Sequence, residues 1–231
     1  MIAPWQVADD SLAFPDWPRP DLNLACLELL IGLVFLADPP EDDEDWDERQ
    51  RPDPARLRER LDPFAPAFEL LGDGPRFCQD LEKLEEGGNA PNPPDMLFID
   101  SAGGQTLRNN ADLVVKRGRY PALDPALAAM AIYTLQNHAP EGGRGNRTSM
   151  RGGGPLVTPV DPGGGLWPLV WANVPYGSPA PLEALPWVRP TRTSEQGQVV
   201  TPDDAHPAEA FFGLPRRLRL VAREGAITGV V

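Results

Sequence analysis

Three groups of residues have the types and spacing for chemistry. The first is the stretch Glu141 to Gly154, EGGRGNRTSMRGGG, in which six glycines are interleaved with Arg144, Arg147 and Arg151. Glycine permits positive φ and close backbone approach to another surface. Arginine matches phosphate in a planar, bidentate way. Together they fit a nucleic-acid groove, although a flexible surface loop has the same composition. A P-loop fits less well, because such loops place phosphate at the positive N-terminal end of a helix. This stretch follows a helix, and no Lys-Ser/Thr pair comes after it. The second group is Asp203, Asp204 and His206, two carboxylates and an imidazole that suit a divalent metal or a plain surface turn. The third is His138, at a predicted helix end where the dipole favours a cation and a structural use is expected. G-x-S-x-G, HExxH and CxxC motifs are absent. Cys26 and Cys78 are the only cysteines, too few for a disulfide framework or a zinc set.

The elements that must hold these residues follow from caps, prolines and periodicity. Leu22–Ala37 is apolar nearly all round, which predicts a helix buried on most sides, N-capped by Asp21 and stopped by Asp38-Pro39-Pro40. Glu41 to Glu48, EDDEDWDE, lacks the ligand spacing and central glycine of a calcium loop and reads as a solvated loop. Short helices are predicted over Pro54–Leu61, Pro66–Leu71 and Phe77–Leu84. Asp124 caps, and Pro125 opens, a clear helix to about His138. Leu156–Val160 and Leu166–Val174 read as short strands around the turn Asp161–Gly165. Pro186-Trp187 reads as an anchor in an otherwise irregular stretch. Leu214–Ala222 alternates Leu218, Leu220 and Ala222 against Arg217, Arg219 and Val221, a strand with arginine on its open face. The expected fold is α+β: one loop-rich domain over 1–231, acidic and helical through 1–95, loop- and strand-rich through 96–231.

Composition bounds the function. The chain has 231 residues and a formal net charge of -13. Residues 1–95 carry 23 acidic and 8 basic side chains, and residues 96–231 carry 11 and 13, so the second half is mildly basic. All but two of the 21 basic residues are arginine. Net acidity argues against nonspecific coating of nucleic acid, but not against local contact inside a larger assembly. No apolar run reaches the roughly 20 residues of a typical membrane span, and a reducing compartment is the default.

At the glycine stretch the sequence acquires a likeness. Ala139-Pro140, the glycines, then Met150-Arg151-Gly152-Gly153-Gly154-Pro155 with Val157-Thr158 resembles the CasA large-subunit family of type I-E CRISPR Cascade. Further landmarks fall in the family's order: the helix Leu22–Ala37, Met96-Leu97-Phe98-Ile99-Asp100, Pro186-Trp187-Val188-Arg189-Pro190, and Phe211-Phe212-Gly213-Leu214-Pro215-Arg216-Arg217. The resemblance runs from about residue 20 to 222. In the family a C-terminal helical bundle follows, carrying a wedge hairpin and a motif-reading lysine that have no counterpart here, so the chain reads as a shortened N-terminal domain.

The resemblance implies a non-catalytic, cytoplasmic subunit with no cofactor, no metal and no membrane. Its implied partners are the crRNA, double-stranded target DNA, the crRNA-capping, backbone and small subunits, and a helicase-nuclease. Gly142, Gly143, Arg144 and Gly145 match the loop that enters the minor groove at the protospacer-adjacent motif, with Arg147 and Arg151 beside it. The minor-groove donor/acceptor pattern is degenerate, which suits permissive backbone reading, while guide pairing reads the sequence proper. Phe98, Ile99 and Asp100, with Arg108, match the loop that contacts the crRNA 5′ handle and neighbouring DNA. Asp100 replaces an asparagine of some members, and an ionised carboxylate accepts but does not donate. Arg144 puts a cation at a backbone-only position. Two other readings remain open: a metal-dependent hydrolase on Asp203, Asp204 and His206, and a scaffold whose acidic half docks a basic partner.

Overall fold

The structure, a computed structural model, describes residues 3–9, 11–88, 90–113, 115–139, 149–150, 158–194 and 197–231. The elements are α1 (Pro20–Ala37), α2 (Asp43–Glu48), α3 (Pro54–Leu61), α4 (Gly104–Arg108), α5 (Pro125–His138), α6 (Leu166–Trp171), β1 (Leu220–Arg223) and β2 (Ala226–Val230), with several 3₁₀ turns between them. The fold is α+β. β1 and β2 pair antiparallel, and β2 makes single bridges to Asn92 and Leu123.

One hydrophobic cluster runs through both halves of the chain, from Val7 to Val230. α1 packs against α5. Its buried residues include Leu22, Leu30, Val34 and Leu36, so it is enclosed rather than amphipathic. Length and composition alone would let α1 cross a membrane, but here its apolar surface is buried in the core. The helix begins at Pro20, with Arg19 rather than Asp21 at the cap position, because the fixed φ of proline suits the first helical residue. α3 and α5 start as the sequence predicts. Asp53 accepts from the Arg56 amide, and Asp124 accepts from the amides of Ala126 and Leu127.

Beside these helices lies an aromatic nest. Trp187 stands edge-on to Phe68, Phe77 and Phe212, and Phe77 stacks on Tyr133. The Trp187 indole donates to Ala67 O at 2.7 Å and the Tyr133 hydroxyl to Phe211 O at 2.9 Å, so the buried polar ends are satisfied. Trp187 is the anchor that the sequence predicts.

Several local expectations give way. Leu166–Trp171 is a helix, not a strand. The run LWPLVW is too short for periodicity to decide, and Pro168 fits a first helical turn. It is launched by the turn that the sequence places at Asp161–Gly165. Gly163, Gly164 and Gly165 all have positive φ, and Asp161 accepts from the Gly163 amide. Of the companion strand, residues 156–157 lie outside the described residues, and Thr158–Val160 is not strand. The acidic run forms α2. Asp42 caps the Asp45 amide and Trp46 stacks with Trp171, while Arg49 bonds Asp38 O and Asp45 and lies over the Trp171 ring. Instead of a helix at Pro66–Leu71, 3₁₀ turns cover Asp62–Phe68. Phe77–Leu84 is not helical: Cys78 has φ 55°, and the Gln79 side-chain amide binds Leu70 O and the Leu220 amide in place of a helical ladder.

The strand at the C-terminal end is shorter than predicted, and of its two predicted open-face arginines Arg217 is exposed but Arg219 is not. Arg219 is 1% exposed. It bonds the Glu85 carboxylate and Asp80 O, while Arg217 binds Asp80 and Glu82. The acidic half therefore supplies the partners of these basic residues.

Candidate nucleic-acid interface

The segment that begins at Pro94 is built on Asp95. Its carboxylate accepts from the amides of Arg119 at 2.9 Å and Tyr120 at 2.7 Å, and its carbonyl accepts from the Ser101 hydroxyl. These bonds bring the two ends of the segment 99–118 together. Above them Phe98 stacks on Tyr120 with ring centroids 4.4 Å apart. The Arg19 guanidinium lies 4.9 Å over Phe98, and that of Arg119 lies 4.9 Å over Tyr120 and 5.4 Å over Phe98.

Asp100 closes the group. Both of its oxygens bind Arg119 at 3.0 Å, and Arg19 reaches it at 3.2 Å. Arg19 is also fixed by Asp21 through Nε at 3.0 Å and Nη2 at 2.8 Å. The hydrogen bond from Arg119, then that from Arg19, holds the Asp100 carboxyl down at about 2. The Arg19 guanidinium is raised, chiefly by Asp21.

Of the predicted handle residues, Phe98 is 2% exposed, so it is the shelf of this site and not a ring offered to solvent. Ile99 is exposed. Arg108 ends α4, where Nη2 donates to Gln105 at 2.8 Å. A cleft of about 420 Å³ runs beside them, lined by Pro93, Met96, Leu107, Val115, Lys116 and Arg117 among others. Arg117 is engaged inside its own loop by Asp112, Asn110 and Leu107 O.

Gly142, Gly143, Arg144, Gly145, Arg147 and Arg151 lie outside the described residues. The residues flanking them are held on one piece of chain. Gln136 donates to Arg216 O and Cys78 O and accepts from the Arg216 amide. Asn137 donates to Tyr133 O and accepts from the Gly213 amide at 2.7 Å. The Arg216 guanidinium bonds Leu135 O at 2.8 Å and Ala139 O at 3.4 Å, completing carbonyls that the end of α5 leaves open. Ser149, 2% exposed, packs so closely on Gly213 that a β-carbon there would lie 2.9 Å from its hydroxyl.

The residues of the hydrolase reading are engaged locally. Asp204 accepts from the Thr201 amide and hydroxyl, and His206 Nδ1 accepts from the Ala208 amide. Among the described residues no group of three or more His, Cys, Asp or Glu is placed to hold a metal. His138 ends α5, as predicted, and is half-buried rather than open to solvent. Burial pushes its imidazole down to about 4 against the pull of Asp21, and Nε2 sits 2.8 Å from Glu28.

Sequence reasoning missed the roles of Arg19, Asp95 and Tyr120, and those of Gln136 and Asn137. The cluster's partners lie up to 81 positions apart, so no local pattern joins them. The one available signal for the amides was their place on a helix predicted from its Asp-Pro start and apolar residues.

The architecture, an α+β core with irregular segments stapled to two packed helices, is shared with solved CRISPR-associated proteins. Cse1 from Thermobifida fusca aligns with a TM-score of 0.70 at 17% identity, over 100% of this chain and 47% of that one. A CRISPR associated protein from Thermus thermophilus gives 0.65 at 19% identity, over 99% and 47%. Cse1 from Acidimicrobium ferrooxidans gives 0.60 at 19% identity, over 99% and 46%. No curated protein matches. The chain belongs to the family of CRISPR-associated protein Cse1, whose model matches residues 1–231. It spans about half the length of the solved relatives.

Proposed function

We propose that this chain is the DNA-recognising part of the large subunit of a type I-E CRISPR Cascade complex. In that role it is non-catalytic and works in the cytoplasm. The glycine stretch Gly142–Gly145, with Arg147 and Arg151, lies in the minor groove at the protospacer-adjacent motif and helps start strand opening. The segment around Ile99 and Asp100, with Arg108, faces the crRNA 5′ handle. The other Cascade subunits and a helicase-nuclease are its protein partners.

The observation that carries the reading is the family match along the whole chain. The anchors of the glycine stretch support it. A loop without side chains gains motif selectivity only if its ends are fixed, and here both flanks rest on the 213–216 segment. The experiment replaces Gly143 and Gly145 by tryptophan in the assembled complex. Target-duplex binding is lost while subunit assembly is retained. Unchanged binding of duplexes with the motif overturns the assignment.

A further inference from the structure

Arg19 has anchors besides Asp100, whereas among the described residues Asp100 is the only hydrogen-bond partner of the Arg119 guanidinium. Arg19 is held by Asp21 and by the face of Phe98. Arg119 is held by the faces of Phe98 and Tyr120, and its amide is fixed by Asp95. With Asp100 swung aside, the ring contacts and Asp21 would still hold the two guanidiniums at the shelf, and that of Arg119 would be left to bond another anion. Their side chains are 17% and 27% exposed, against 37% for Asp100. The carboxylate is thus the outermost, most replaceable member of the group. Its bidentate contact with Arg119 has the geometry that arginine also offers to phosphate. A phosphodiester carries one negative charge, so exchanging it for Asp100 leaves the cluster's charge balance unchanged.

We propose that Arg19 and Arg119 form a binding site for one phosphodiester group of a nucleic-acid backbone, and that the Asp100 carboxylate occupies this site until nucleic acid displaces it. The proposal rests on the reading above only in taking the anion from nucleic acid. It assigns the contact to Arg19 and Arg119 and makes Asp100 a competitor of the ligand rather than a contact to it. Guide strand and target duplex share this chemistry.

The test measures binding of the full chain to a short single-stranded RNA and to a short DNA duplex lacking any adjacent motif. The outcome thereby does not require motif reading by the glycine stretch. Asp100→Asn tightens binding to one of the two by about threefold to tenfold at low salt, and the probe that gains identifies the source. Arg119→Gln weakens the same binding and lowers the slope of log K against log salt by about 0.7 to 0.9, the share of one phosphate. Combining Asp100→Asn with Arg119→Gln gives no gain over Arg119→Gln alone. Asp112→Asn, which removes the carboxylate bound to Arg117 on the same loop, serves as the control for a general charge effect and gives a smaller gain. Asp100→Ser is the second variant, and thermal unfolding is recorded for each. Equal gains from Asp112→Asn and Asp100→Asn overturn the proposal. So does a gain that survives the loss of Arg119, or binding no tighter than the parent chain in both Asp100 variants.

Discussion

The end of α5 and the shelf at Phe98 are both places where irregular chain is tied to the helical core, and they are tied by opposite means. At α5 the buried bonds come from Gln136 and Asn137, neutral amides at 1% and 0% exposure whose partners are main-chain groups, with the Arg216 guanidinium on two further carbonyls. At Phe98 Asp95 holds two main-chain amides beneath, and the outer bonds come from Arg19, Arg119 and Asp100, charged and partly exposed groups. Buried amide bonds are unscreened and costly to leave unmade. Surface ion pairs are worth little and weaken with salt. The first arrangement suits a fixed frame, and the second suits a contact that is exchanged for another.

The contrast is exposed most strongly at Gln136. Gln136→Met keeps the volume but strands the Arg216 amide and two carbonyls in the interior. A loss of roughly 3 kcal/mol is expected in denaturant unfolding, independent of salt, since each stranded group costs about 1–3 kcal/mol. A loss below about 1 kcal/mol would place the frame elsewhere.

Next is the pH dependence of the same region. The folded state holds His138 with its pKa at about 4, against 6.5 for the free side chain. Between those values the unfolded chain binds the extra proton. Stability therefore falls as pH drops from about 6.5 towards 4, by on the order of 2 to 3 kcal/mol. Unfolding curves for the parent chain and His138→Gln at neutral pH and at a pH near the lower end of that window check this, because the substitution reduces the slope by the share of His138.

The smallest effect is at the shelf. Asp100→Asn changes folding stability by less than about 1 kcal/mol, and the change vanishes in high salt. A loss comparable to that of Gln136→Met would erase the distinction between the two regions.

What was legible beforehand was local. α3 and α5 announce themselves through Asp-Pro starts, and α1 through an apolar run stopped by Asp38-Pro39-Pro40. What stayed hidden was pairing at long range. Arg217 and Arg219 alternate with leucines as they would on an exposed strand, yet their carboxylates lie more than 130 positions upstream. Phe98 was singled out by resemblance, but its burial depends on Tyr120 and on Arg19 across the chain. The residues of the glycine stretch are legible as composition and by resemblance, because glycine and arginine specify what a backbone permits and not where it goes.

The proposed function turns on where that stretch lies in the working assembly. A photo-crosslinking side chain placed at Gly142 of the complex bound to target DNA reads this directly. The expected product is a crosslink to the duplex within the adjacent motif. Crosslinks only to protein, or to DNA remote from the motif, would contradict the assignment.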